Sequence, residues 1–505
     1  MHKNIMVGTL ILTVCGMLTK TIAFLFQLYF AGVLGSEGMG LYQLIFSVHG
    51  IMLTIASGGI GVAISKLAPE SGQTRVHAIM RRAIGLVSGL SAVVIAVVLC
   101  SADFISLNFL KDAQTALGLK YLAPSVLFMS VAACVKSYFY SFRKILRPAG
   151  SEFLEQFVKI TVTRFLISRW RHLGLDHACA AVMLGFTIGE LCSCTYLYIL
   201  YKLDVSKFFS NKKIDKDITK DILLISLPIT AGAFVFSGFR MVEGVWIVDA
   251  LIKLGADSTR AISELGVIRG MVMPMLLFPL MLLSSVVTML IPEMARTQAK
   301  GSTLAISRAV NYVYRFTALC GMMMFGVFLA FADELGMLMY QNSDIGGIVR
   351  ILSFMCPLMC FDMINSAVLG GLGEQLRLLK YGVMDGVLRL SLIWFVMPHL
   401  GYSALIFTIV LSNIFTAGLS MWRVLRVTRL TLDLSRHVVK PFFAAAVATV
   451  LVRIIYMSAL KPHCGFKTGL FAGVFIMVGL YVLINAGLGN ITAEDGRWIK
   501  KKFTI

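Results

Sequence analysis

RRAIGLVSGLSAVVIAVVLCSAD, residues 81–103, opens on two arginines, closes on an aspartate and holds no charged residue between them. An uncharged run of about 20 residues is what a helix needs to cross the hydrocarbon core of a bilayer. The pattern recurs on both sides of it. We expect crossings at Ile5–Leu34, Tyr42–Ser65, Ala83–Ser101, Tyr121–Phe142, Phe153–Ser168, Ala178–Tyr201, Ile222–Leu251, Ile262–Ile291, Ala309–Ala332, Gly347–Gly370, Leu378–Met397, Tyr402–Trp422, Val438–Met457 and Thr468–Ala486. The fold class expected is therefore an all-α integral membrane protein with fourteen transmembrane helices. Placing the amino terminus in the cytoplasm puts about 28 Lys/Arg inside against about 8 outside, in line with the positive-inside rule. Both termini are then cytoplasmic.

Composition agrees. Of 505 residues, 58% are hydrophobic, above the roughly 45–50% of soluble domains. A formal net charge of +20 suggests nucleic acid in a soluble protein. Here the excess gathers in expected cytoplasmic loops, at Arg75, Arg81 and Arg82, at Lys212, Lys213, Lys216 and Lys220, and at Arg423, Arg426 and Arg429. Topology and attraction to anionic membrane lipids account for it, and no nucleic-acid partner is expected. The first apolar run is longer than the core of a cleavable leader, so it reads as a first crossing. Most of the ten cysteines lie inside apolar runs and none forms a Cys-x-x-Cys pair. They read as small packing residues, with no metal site implied.

A weak repeat divides the chain. Leu67-Ala68-Pro69-Glu70 returns as Leu290-Ile291-Pro292-Glu293, Arg82-Ala83 as Arg308-Ala309, Ala102-Asp103 as Ala332-Asp333, and Ala123-Pro124 as Cys356-Pro357. Transporters show such symmetry between halves. The expected layout is a six-helix lobe at 1–201, a cytoplasmic linker at 202–221, and a second six-helix lobe at 222–424. Helices thirteen and fourteen, with a basic tail, follow at 425–505. Gly85-x-x-x-Gly89 and Gly185-x-x-x-Gly189 read as close helix contacts.

No phosphate-binding loop, zinc-protease motif or serine-hydrolase elbow is present, so the chain is not expected to be an enzyme or to carry a cofactor. The informative residues are charges inside crossings, each costing about 2.5–3.5 kcal/mol if it faced lipid at mid-depth. Local spacing pairs Glu155 with Lys159 and Asp385 with Arg389 at i,i+4, and Arg240 with Glu243 at i,i+3. Lys20, Lys136 and Arg269 have no such local partner. Lys20 falls opposite Glu243 under the repeat, which points to a polar cleft lined by Lys20, Gln27, Arg240 and Glu243. His49 titrates near neutral pH in an ordinary setting, although a lone histidine is more often hydrogen-bonded in place.

Several runs carry a family resemblance. They include Leu34-Gly35-Ser36-Glu37-Gly38-Met39-Gly40-Leu41-Tyr42-Gln43, Val62-Ala63-Ile64-Ser65-Lys66-Leu67 and Gly270-Met271-Val272-Met273-Pro274-Met275-Leu276-Leu277-Phe278-Pro279. With Ala123-Pro124-Ser125-Val126-Leu127-Phe128 and Leu369-Gly370-Gly371-Leu372-Gly373, they resemble the stage V sporulation protein B branch of the polysaccharide and oligosaccharide exporters. That branch belongs to the superfamily of multidrug extruders and lipid II flippases. The resemblance implies two lobes in a V around a central cavity, alternating access, and a polyprenyl-diphosphate-linked glycan as substrate. It also implies that Lys20 and Lys136 face the diphosphate. Gln27 and Gly32 stand where many relatives have arginine.

The expected function is translocation of an undecaprenyl-diphosphate-linked cell-wall precursor or oligosaccharide across the bacterial plasma membrane. Lys20, Gln27, Lys136, Arg240, Glu243 and Arg269 would line the cavity. His49, Glu155, Lys159, Asp362 and Asp385 are candidate coupling residues, with H+ or Na+ as the ion. The alternative is a cation-coupled multidrug antiporter, which in-span carboxylates favour. A non-transporting scaffold gives no reason for charges deep in the membrane.

Overall fold

The computed structural model describes residues 2–70, 73–205, 217–281, 283, 284, 294, 298, 303–342 and 345–490. Residues 206–216 of the expected linker, Pro292 and Glu293 of the repeat, the end of the eighth crossing and the tail at 491–505 lie outside them. Among the described residues there are helices and turns and no strand. Backbone polar groups in hydrocarbon need partners within their own segment, which helices supply.

Ten of the described helices are long and apolar enough to cross a membrane, or eleven if a pair bent by 54° is one span. The chain is a multi-pass membrane protein. It divides into two compact units, Met1–Gly270 with Ile393–Gly401, and Met271–Leu392 with Tyr402–Ile505.

The first unit contains α1 (His2–Ser57), α2 (Ile60–Glu70), α3 (Gln73–Phe104), α4 (Thr115–Leu122), α5 (Ser125–Ser141), α6 (Leu146–Trp170), α7 (Leu175–Val205), α8 (Asp217–Lys253) and α9 (Ser258–Leu265). A straight helix of α1's 56 residues would run about 84 Å, far beyond a hydrocarbon core of about 30 Å. Gly35 resolves this with a left-handed φ of 68°, a conformation glycine adopts without a Cβ clash. Beyond the kink, α1 lies directly on the segment that starts with α9. A Cβ on Gly40 would sit 2.0 Å from the Ile262 carbonyl oxygen, and one on Gly266 2.0 Å from that of Ser36. The Ser36 and Ser263 hydroxyls meet there at 2.5 Å. A core of Ile60, Ile64, Ile79, Val135, Phe139 and Leu197 joins α2, α3, α5 and α7.

The second unit contains α10 (Thr303–Tyr340), α11 (Ile345–Ser353), α12 (Cys356–Gly371), most of α13 (Gln375–Phe395), α15 (Tyr402–Thr428), α16 (Lys440–Ile455) and α17 (Phe466–Gly487). The short α14 (Met397–Leu400) belongs to the first unit. Ala444, Ala445 and Ala448 of α16 face α10, where Gly326 leaves room for the Met477 methyl of α17.

The repeat extends to backbone and charge. Lys120 pairs with Asp103 at 2.9 Å, and Arg350 with Asp333 at 2.5 Å, each residue 230 positions from its counterpart. Left-handed φ values recur at Lys111 and Gln341, and at Arg143 and Gly373, at the same spacing. Glu155–Lys159 on α6 and Asp385–Arg389 on α13 also stand 230 positions apart. The glycine motifs part company. Gly185 abuts Thr163, whose hydroxyl would lie 2.0 Å from an added Cβ, and Gly189 abuts the Glu155 carbonyl. Gly85 and Gly89 have nothing within 4 Å of an added Cβ and lie exposed on α3, so that expected contact is not made among the described residues.

Candidate functional site

Two groups of polar side chains lie within apolar helices of the first unit. The first is built where α1, α8 and the end of α9 meet. After α9 the chain runs through a π-helical turn, Gly266–Val272, a geometry that concentrates at functional sites. Arg269 lies in it and reaches Glu243 of α8, Nη2 to Oε1, at 2.6 Å. Gly244, the next residue of α8, lies against the same guanidinium, where an added Cβ would make an ordinary contact with Nη1 at 3.6 Å. Two glutamines of α1 fasten the turn. Gln43 donates to the Arg269 carbonyl at 3.2 Å and Gln27 to the Gly270 carbonyl at 3.3 Å.

Local spacing paired Glu243 with Arg240, but the ion partner in the structure is Arg269, from a separate helix. The Glu243 side chain is only 6% exposed, and Arg240 lies on the exposed side of α8. Lys20 is also exposed. It precedes Gln27 by seven residues, two helical turns, and so shares its face of α1.

The second group joins α5, α6 and α7. Lys136 of α5 lies 3.8 Å from Glu152 of α6, and Lys159 lies 2.8 Å from Glu155. Glu190 of α7 completes it, within hydrogen-bonding reach of Glu155 and close to Lys159 and Lys136. Glu155, Lys159 and Glu190 are all buried. The Lys159 ammonium stands 4.0 Å over the Phe186 ring, a favourable cation–π geometry. Phe186 in turn packs on Phe46 of α1, with centroids 5.1 Å apart. The group therefore holds three carboxylates and two ammoniums.

Glu152, Gln43, Phe186 and Glu190 escaped the sequence reading. Glu152 shares a helix face with Glu155 and Lys159 by i, i+3, i+7 spacing, so that signal was present. Glu190 was visible as a carboxylate inside the sixth apolar run, with nothing in the spacing to name its partners.

His49 is buried, its Nε2 2.9 Å from the Ser125 hydroxyl. Ser125 donates to the Leu122 carbonyl, so the imidazole is the donor, holding α1 to α5. In the second unit, Tyr314 donates to Asn365, Asn365 to Ser420 at 3.1 Å, and Ser420 to Asp362 at 2.9 Å. Asp385 accepts from Ser412 at 2.6 Å. Among the described residues no group of three or more His, Cys, Asp or Glu is arranged to hold a metal ion.

One family profile, several curated relatives and a set of solved structures match the chain. A family profile described as "Polysaccharide biosynthesis protein" matches residues 5–298, more than half of the chain and all of both side-chain groups in the first unit. Stage V sporulation protein B of Bacillus subtilis (strain 168) is 24% identical over 91% of this chain and 90% of its own. Among solved structures, the lipid II flippase MurJ in an inward closed conformation superposes with a TM-score of 0.72. It is 12% identical and covers 95% of this chain and 98% of that one. The inward-facing form of a multidrug resistance transporter of the MATE family, in the MOP superfamily, gives a TM-score of 0.64. Its identity is 15%, over 81% of this chain and 95% of that one. At such identities the structures speak to the fold, which this chain shares.

Proposed function

The chain belongs to the polysaccharide biosynthesis protein family, and on that premise we propose that it is a flippase. Its substrate would be an undecaprenyl-diphosphate-linked cell-wall precursor or oligosaccharide, moved across the bacterial plasma membrane by alternating access. In this reading fourteen crossings form two pseudo-symmetric six-helix lobes, at 1–201 and 222–424, around a central cavity. Two appended helices follow, and both termini lie in the cytoplasm.

The observation that carries the reading is the set of basic side chains kept within apolar helices of the first unit, at Lys20, Lys136, Lys159 and Arg269. Charges at membrane depth persist where they face water, a partner or a substrate path. A sugar diphosphate cannot cross about 30 Å of hydrocarbon without such a path. Lys20, Lys136 and Arg240 would attract the diphosphate, joined by Arg269, whose guanidinium meets Glu243 and whose turn Gln27 fastens. Lys136 and Arg269 are each shared with a carboxylate, which suits a site that must release its anion as well as bind it.

Coupling to H+ or Na+ falls to Glu155 and Lys159, joined by Glu190, and to Asp362 and Asp385 of the second unit. Glu155 and Glu190 lie within hydrogen-bonding reach, which needs a proton on one of them, and that proton, or a monovalent cation in its place, would be the coupled ion. The bonding of His49 suits a structural role better than a coupling one.

Lipids that co-purify with the detergent-extracted protein test the substrate class. Mass spectrometry is expected to find a polyprenyl-diphosphate glycan enriched over bulk phospholipid. Its absence, with only bulk phospholipid recovered, goes against the proposal. A cation-coupled drug antiporter is the second reading, favoured by the Tyr314–Asn365–Ser420–Asp362 chain. Altered drug sensitivity in a deletion strain with unchanged envelope chemistry would select it.

A further inference from the structure

Helix α10 bends at Phe331, whose φ of −123° and ψ of 23° leave the helical region. Sharp helix bends come from proline, from Gly/Ser pairs, from π-bulges, or from a side chain that enters the hydrogen-bond ladder. Residues 303–340 contain no proline, and neither a Gly/Ser pair nor a π-helical turn stands at the bend. A side chain is the cause that remains.

That side chain is Arg453 of α16. Its Nη1 donates to the Ala330 carbonyl at 3.1 Å and to Glu334 Oε1 at 2.6 Å. The Ala330 carbonyl belongs to the peptide unit that the φ of Phe331 turns, so Arg453 holds the group that the bend reorients. One turn earlier on each helix, the Thr449 hydroxyl donates to the Gly326 carbonyl at 3.3 Å. Thr449 and Arg453 share a face of α16, and Gly326, Ala330 and Glu334 share a face of α10, by i,i+4 spacing. The bend also seats a ring. Phe331 is fully buried, edge-to-face with Tyr456 at 5.3 Å. It lies against Gly473 of α17, where an added Cβ would stand 2.8 Å from its Cζ.

The repeat supplies an internal control. Ser101 stands 230 positions before Phe331, and α3 runs as regular helix through it. Ala96, Cys100 and Phe104 hold the places of Gly326, Ala330 and Glu334, and all three are exposed. The bend is found where a second helix lies on this face and not where the face is open.

We propose that α16 is a brace that sets the bend of α10, with Arg453 as the positioning residue. A helix bent only while a neighbour holds it is a two-position element. Helix α11 goes with it, because Asp333, two residues past the bend, pairs with Arg350 at 2.5 Å and abuts Gly346. The device lies within the second unit and is independent of the substrate assigned above.

The test compares experimental structures of the unaltered protein, E334Q and E334Q/R453M in the same lipid nanodisc. E334Q removes a charge and leaves Arg453 its carbonyl partner, so the bend is expected to stay. E334Q/R453M removes the donor without leaving a buried carboxylate behind. Phe331 is then expected to return to helical φ and ψ of about −63° and −42°, shifting α11 with the end of α10. A bend kept in the double variant would overturn the proposal. Loss of the bend in E334Q alone would overturn it too, by giving the role to the ion pair. The unaltered protein is a further arm that needs no variant to fold: α10 straight with Arg453 on the Ala330 carbonyl, or bent with Arg453 turned away, would contradict the brace.

Discussion

Replacing Arg269 by alanine is expected to destabilise the first unit by about 3–5 kcal/mol, the range for breaking a buried ion pair by removing one partner. Glu243 is the reason. Its carboxylate is almost wholly enclosed and meets Arg269 at 2.6 Å, so losing the guanidinium removes a counter-charge that protein and lipid both replace poorly. The paired variant E243Q/R269Q removes both charges and is expected to recover most of the loss, because two neutral amides can bond to each other. Thermal unfolding of the three proteins in one detergent gives the comparison. If R269A unfolds within about a degree or two of the unaltered protein, the pair is not as desolvated as the structure has it. The double variant also separates folding from transport: stable but slow to move substrate, it would place Arg269 on the anion path.

The second large effect is expected at Lys159. Lys159→Met leaves Glu155 and Glu190 facing each other without the ammonium that lies 2.8 Å from Glu155. Two enclosed carboxylates cannot both stay ionised at such range, and a loss of about 3–5 kcal/mol follows. Adding Glu155→Gln is expected to restore much of it, because the amide introduced there can donate to Glu190. Phe186 loses its cation in both variants, so the difference between them isolates the charge. Full stability in Lys159→Met alone would mean that Glu190 is held by other groups. Transport at background level in the restored double variant would tie the cluster to coupling.

Much of this architecture was legible in the chain. The apolar runs marked most of the helices, because a membrane helix must satisfy its own backbone and hide its polar groups. The repeat was legible in short returns such as Ala102-Asp103 as Ala332-Asp333, and the structure adds that these two aspartates make equivalent ion pairs, with Lys120 and Arg350. Helix arithmetic found Glu155 with Lys159 because both stand on one face of one helix. It failed at Glu243, where one turn of α8 suggested Arg240. The true partner comes from a π-helical turn pressed onto α1 by Gly40 and Gly266, a packing that no spacing rule encodes. Glu190 went unassigned because its partners stand on α5 and α6, brought near only when α6 and α7 lie side by side through Gly185 and Gly189. Gly85 and Gly89 had the same sequence signature and no helix to meet. Small residues permit a close approach, and the rest of the fold decides whether it happens.

Transport as proposed rests on basic side chains of the first unit drawing a lipid-linked diphosphate glycan across the membrane. Proteoliposomes carrying a fluorescent lipid-linked precursor, with its head accessible to a membrane-impermeant quencher or enzyme, measure this directly. Head-group protection is expected above that of protein-free vesicles, with its loss in K20A/K136A protein reconstituted to the same level. Equal protection with the double variant and the unaltered protein would contradict the site, and no protection above protein-free vesicles would contradict the function.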